Sequence, residues 1–167
     1  MAQVETTRDG RHDFDFLFGR RRIDNRKLVD TLDPACTDWV EFEAFGEARP
    51  ILGGLGNVDL FSVPALPPTG DPYEGFTLRL YDPETGIWRI WWASTRFPGH
   101  LDTPVEGRFT GDRGEFLTDD EIGGRPVKVR FHWRVVSETA NHWEQAFSYD
   151  GGATWQTNWV SDATQTG

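Results

Sequence analysis

Hydrophobic and polar residues alternate along most of this chain, the period expected of strands with one buried face. "DWVEFEAFGEA" alternates, and "GNVDLFSV" follows a glycine-rich turn, "GGLG". "GFTLRLYDPETGIWRIWWAS" reads as a hairpin, two β-rich runs around Asp-Pro and Gly. "EGRFTGDRGEFLTDDE" and "RPVKVRFHWRVVSETANHWEQAFSY" read as two more, and "DGGA" then turns into "TWQTNWVSD". Near the N-terminus, Phe14, Leu17 and Phe18 fall at i, i+3 and i+4, which predicts a short helical plug ended by Gly19. A first strand is expected from about Arg21 to Val29. "VPALPPTGDP", residues 63–72, reads as a breaker-rich loop covering one end of the fold.

About ten antiparallel strands result, joined mostly by short turns, with no long amphipathic helix, internal repeat or linker. Sequential strands in one open sheet leave two exposed edges, and closure removes both. The expectation is therefore all-β: one antiparallel barrel of about eight to ten strands with a short N-terminal helical turn, a β-sandwich being the second choice. Residues 1–12 read as a flexible tail and 13–163 as the barrel domain.

Hairpin pairing assigns faces. Centring the 125–149 hairpin near Thr139 puts Trp133 opposite Gln145, Phe131 opposite Phe147 and Val135 opposite Trp143, one apolar face shared with Val127 and Val129. Lys128, Arg130, His132, Arg134, His142, Glu144 and Ser148 take the other. In the 76–92 hairpin, Phe76, Leu78, Leu80, Trp88, Ile90 and Trp92 share one face, and Thr77, Arg79, Tyr81, Arg89 and Trp91 the other. This assumes no bulge, since a single one flips the parity. Across the last turn Gln145 lies near Asn158, an amide pair within an aromatic wall of Trp133, Trp143 and Phe147. Buried amides must be hydrogen-bonded, so these meet each other, water or a ligand.

Composition sharpens this picture. The chain has 167 residues and 14% aromatics, eight of them Trp and twelve Phe. So many rings favour a β core or an aromatic-lined cavity. A net charge of −10 argues against a nucleic-acid partner and against attraction to anionic lipid. One cysteine, Cys36, permits neither an intrachain disulfide nor a cysteine zinc site. The polar start "MAQVETTRDG" lacks the apolar region of a signal peptide, which sets a cytoplasmic expectation.

"DFDFLFGR", "LGGLGNVDLF", "TLRLYDPETGIWRIWWAS" and "WEQAFSYDGGATWQTNWV" together resemble a group of small bacterial lipocalin-like, or calycin-like, proteins without an assigned function. The resemblance covers residues 13–163 and implies a calycin-type antiparallel barrel. It departs from a Gly-x-Trp-like first strand at Gly19-Arg20-Arg21, where Phe14, Phe16 and Phe18 would supply the aromatic floor instead.

"SYDGGATW", residues 148–155, has the spacing of the Asp-box of sialidase-type propellers. One copy in a chain too short for six blades reads as a tight structural hairpin. "GGLGN", residues 53–57, lacks the βαβ context of a dinucleotide loop and reads as a close turn, with Asn57 a pocket candidate. The four histidines show no metal-ligand spacing. A two-histidine site at His132 and His142, a haem ligand as in nitrobindin-type barrels, and a Cys36 nucleophile are all disfavoured. Arg79, Arg130, Arg134 and Glu144 read as ladder pairs on the polar face, or else as a polar pocket or dimer seam.

The function expected is binding of a small, largely apolar or aromatic metabolite, without a cofactor. Its ligand-binding residues are Gln145, Asn158, Trp133, Trp143, Phe131, Trp92, Asn57 and Arg79. The alternatives are a cofactor-independent isomerase, cyclase or lyase using Glu144, His132 or Asp59 as proton carrier, and a homodimeric interaction module without ligand.

Overall fold

Ten antiparallel strands close into one barrel in the computed structural model, which describes residues 9–167. They are β1 (Gly19–Leu28), β2 (Trp39–Ile51), β3 (Gly56–Leu66), β4 (Asp71–Asp82), β5 (Ile87–Ser94), β6 (Val105–Thr110), β7 (Arg113–Ile122), β8 (Arg125–Val135), β9 (Ala140–Ser148) and β10 (Gln156–Gln165). Each pairs with its sequence neighbour, and β1 closes on β10 with Arg21 opposite Gln165 and Lys27 opposite Trp159. No sheet edge is left unpaired, the outcome that the closure argument requires. Among the described residues no helix is long and apolar enough to cross a membrane.

The two ends of the barrel differ. Short turns after β2, β4, β6 and β8 sit at one end, where the chain enters as two 3-10 turns, Gly10–His12 and Asp15–Leu17. Most of the tail expected over residues 1–12 lies outside the described residues. Within it, Gly10 is buried, its N–H donating to the Tyr81 hydroxyl at 3.0 Å and its carbonyl accepting from Trp88 Nε1 at 3.0 Å. Phe14, fully buried, meets Trp88 edge-on at 5.0 Å and Phe109 at 5.1 Å. The helical plug is thus real, though of 3-10 rather than α type, and Phe14 joins the core with Phe16 and Phe18 packed against it.

The opposite end carries the longer connections, residues 29–38 and 95–104, and the Asp-box turn. The breaker-rich stretch 63–72 is mostly strand: Val63–Leu66 ends β3 and Asp71 begins β4, with only 67–70 as turn. It therefore forms a hairpin, not an end-covering loop. Gln156 Nε2 donates to the carbonyls of Pro34 and Cys36, so the 29–38 loop leans on the Asp-box turn.

Two hairpin registers differ from the sequence expectation. In β4–β5 a four-residue loop pairs Asp82 with Ile87, so Tyr81 faces Trp88, Arg79 faces Ile90 and Thr77 faces Trp92. Thr77, Arg79 and Tyr81 point inward and are buried, whereas Phe76, at 37% exposure, points out. The parity of β4 is thus inverted relative to its hydrophobic pattern. In β8–β9 the pairing slips by two residues, to Trp133 opposite Trp143 and Phe131 opposite Gln145. A two-residue slip preserves faces. The outer surface of β1 and β2 carries cross-strand pairs such as Arg22–Glu43 and Arg26–Glu41, which are exposed and individually weak.

Candidate functional site

The inner wall is aromatic and several of its rings are incompletely buried. Phe61, Trp92, Phe131, Trp133 and Trp143 point inward yet remain half-buried. They interlock edge-on: Phe131–Trp143 at 5.1 Å, Trp143–Trp159 at 5.4 Å and Phe61–Trp92 at 5.7 Å. Two inward glycines make this possible. A Cβ on Gly75 would lie 2.0 Å from the Trp92 ring, and one on Gly46 would lie 2.5 Å from Arg21 Nη2. Alanine at either position would displace a side chain of the wall.

Gln145 meets Asn158 in this wall as expected, its Nε2 donating to Asn158 Oδ1 at 2.9 Å. A bulge between Thr157 and Trp159 delivers the geometry. Asn158 is the extra residue, so both it and Trp159 turn inward, at 0% and 9% exposure. Asn158 Nδ2 finds no acceptor among the described residues. Asn25 shows the contrast: its side-chain oxygen accepts from Trp159 Nε1 at 3.0 Å and Ser161 Oγ at 2.7 Å, and its amide nitrogen donates to the Ile23 carbonyl.

A buried charged cluster also lies on the inner side, towards the plug. Arg21 Nη2 donates to both oxygens of Asp59, at 3.0 and 2.8 Å, while Nη1 donates to the Leu17 carbonyl and so ties the cluster to the plug. Arg79 donates to Asn57 Oδ1 at 2.9 Å and to Asp59 at 3.3 Å. The Arg79 guanidinium lies over Phe14 at 5.1 Å and over Trp133 at 5.5 Å, which joins the cluster to the aromatic wall. Burial lowers the Arg79 pKa to about 10, opposed by the charge of Asp59.

Of the sequence candidates, the barrel brings Gln145, Asn158, Trp133, Trp143, Phe131, Trp92, Asn57, Arg79 and Asp59 together on its inner side. It places Glu144 and His132 outside. His132 Nε2 bonds Glu115 at 2.8 Å, and Glu144 bonds His142, which also bonds Asp162 at 2.7 Å. Asp59 accepts from two guanidiniums, so the one inward candidate proton carrier is fully engaged. His132 and His142 each hold carboxylate partners, and among the described residues no three His, Cys, Asp or Glu side chains are arranged to hold a metal ion. Arg21, Trp159 and Tyr73 were not anticipated. The sole sign of Arg21 was Ile23 two residues on, the one apolar residue in the alternating set Arg21, Ile23, Asn25 and Lys27.

The bonds of Asp150 and Ser148 stay within the Asp-box turn. Asp150 accepts from Thr154 N, Thr154 Oγ1 and Ser148 Oγ, and Ser148 Oγ accepts from Gly152 N. Those bonds, led by the Thr154 hydroxyl, hold the Asp150 pKa down to about 2. They close a tight turn and point at nothing else.

Two concavities lie elsewhere, the larger also touching Phe61 and Gly75. One of about 150 Å³ sits among Leu32, Ile122, Arg125 and Tyr149 at the loop end. The other, about 690 Å³, is a groove on the outside of β3–β5, where Leu60, Phe76, Phe97 and Leu101 are exposed.

No family model matches this chain, and no curated protein matches it.

Proposed function

We propose that this barrel binds a small, largely apolar or aromatic molecule within its wall, oriented by Gln145 and Asn158. One observation carries the reading: Asn158, fully buried, presents an amide N–H without an acceptor, amid aromatic side chains that are only half-buried. An unmet buried donor costs roughly 1–3 kcal/mol, which a ligand's oxygen would recover. Few polar groups in an apolar wall are the usual means of fixing orientation. The test uses the neutral dye N-phenyl-1-naphthylamine, which brightens in dry apolar sites. The dye should bind, and Trp143→Ala should weaken it severalfold. Absence of binding, or binding insensitive to Trp143→Ala, would contradict the reading.

A second reading, pairing of two copies, is favoured by the outer groove, where Leu60 is 60% and Phe97 61% exposed. Light scattering of Leu60→Glu against the unaltered chain tests it: a dimer converted to monomer supports pairing, and an unaltered monomer removes it.

A further inference from the structure

The charge inside the barrel does not balance. Among the described residues three charged side chains are buried, Arg21 at 3%, Asp59 at 6% and Arg79 at 2% exposure. Two fully buried cations therefore face one anion, in a chain whose overall charge is −10. Lys27, inward and half-buried with its ammonium 4.2 Å from the Trp159 ring centre, adds to the cationic side. The surplus is local and opposite in sign to the composition. A buried charge without a counter-charge is costly, so its retention calls for a reason. Arg21 takes both oxygens of Asp59, whereas Arg79 reaches a single oxygen at 3.3 Å and the neutral Asn57. Arg79 is the surplus cation, and at about 10 its pKa leaves it charged at neutral pH.

The buried polar groups without partners share one character. Arg21 Nε, Arg79 Nε, Trp133 Nε1 and Asn158 Nδ2 are all N–H donors, and the Tyr73 hydroxyl can donate as well. Among the described residues the one unmet atom that can only accept, Gln156 Oε1, belongs to a side chain bonded to the 29–38 loop. Two of these donors are neighbours, since the Arg79 guanidinium lies 5.5 Å from the Trp133 ring centre. What is missing is therefore an acceptor, and a negative one.

We propose that the ligand of this barrel is an organic anion, its carboxylate-like head group held by Arg79 beside Trp133 and its ring body lying against Trp143 and Phe131. The guanidinium fork matches a planar carboxylate, and the bond gains strength in a water-poor interior. Occupancy would offset the surplus charge of Arg79. This rests on the interior-binding reading above and narrows it from an apolar molecule to an apolar acid.

Two naphthalene dyes separate the proposals: 8-anilinonaphthalene-1-sulfonate carries a fixed anion, and N-phenyl-1-naphthylamine has the same rings without it. The anionic dye should bind roughly tenfold or more tighter. Arg79→Met should remove that advantage, so that the two dyes bind alike, while Arg79→Lys keeps part of it. Arg79→Met leaves Arg21 and Asp59 as a neutral pair but strands the buried Asn57 Oδ1, so its unliganded melting temperature should fall less than that of Asp59→Asn. On the unaltered protein, 2-naphthoate should displace the anionic dye and the isosteric 2-naphthamide should not, a comparison that needs no variant to fold. Equal binding of both dyes, or equal displacement by acid and amide, overturns the anion and leaves interior binding standing. Failure of both dyes to bind overturns both. Loss of the anionic dye in Phe76→Ser but not in Arg79→Met places it in the outer groove and also overturns the proposal.

Discussion

Gln145 donates to Asn158 across the β9–β10 bulge at 2.9 Å, and that bond uses one of the two polar atoms of the Asn158 amide. The other, Nδ2, is buried and unmet. Removing Gln145 alone should strand Asn158 altogether. Gln145→Leu is expected to cost about 1–3 kcal/mol in denaturant unfolding, and the double change Gln145→Leu with Asn158→Leu less than that. The double variant should lose ligand while keeping its fold. Additive losses in the double variant would show that the two amides do not act as a pair.

Asp59 is the only buried anion among the described residues, and it accepts from both buried arginines. Asp59→Asn leaves two buried cations uncompensated. A loss of about 3–5 kcal/mol is expected, as for other buried pairs deprived of one partner. The contrast with Arg79→Met is diagnostic: one removal should unbalance the cluster and the other should balance it. Equal destabilisation by the two would mean that net charge is not what the interior registers.

Gly75 lies directly beneath the Trp92 ring, with room for no Cβ. Gly75→Ala should displace Trp92, costing about 1–3 kcal/mol from overpacking. A shift in the indole emission should accompany it. Unaltered emission and unfolding midpoint would mean that Trp92 rests elsewhere.

Two surface groups give the stability opposite pH dependences. Asp150 titrates near 2 when folded, below the ordinary 3.8, so its contribution is present above about 4 and lost as pH falls towards 2. Asp150→Asn should remove that part of the acid limb and leave dye affinity unchanged. For His142, desolvation lowers the pKa, but the hydrogen bonds and charges of Asp162 and Glu144 outweigh it and the net shift is upward. Its contribution is present below the ordinary 6.5 and lost as pH rises through the folded value. Unfolding midpoints of His142→Gln should lack this decline on the neutral limb; an unaltered decline assigns it to another group.

The barrel itself was legible because period-two patterning and turn chemistry agreed along nearly the whole chain. The Gln145–Asn158 contact was legible too, although the bulge that creates it was not. β4 was misleading for a physical reason. Where the interior holds Asn57, Asp59, Thr77 and Arg79, the apolar residues Leu60, Phe76 and Leu78 are turned outward. A pattern rule that sends apolar residues inward must fail there, and it fails where the charged cluster sits. The same inversion lays down the outer groove. Arg21 was hidden among three consecutive arginines, of which burial selects one.

The most direct test of the central claim is native mass spectrometry of the protein purified without refolding from its own host. A complex heavier than the polypeptide by a few hundred daltons is expected, the mass of a drug-sized ligand. It should collapse to the bare chain on denaturation and be absent from the Gln145→Leu, Asn158→Leu double variant. A native mass equal to that of the bare chain, or an adduct retained unchanged by the double variant, would contradict a ligand held at this amide pair.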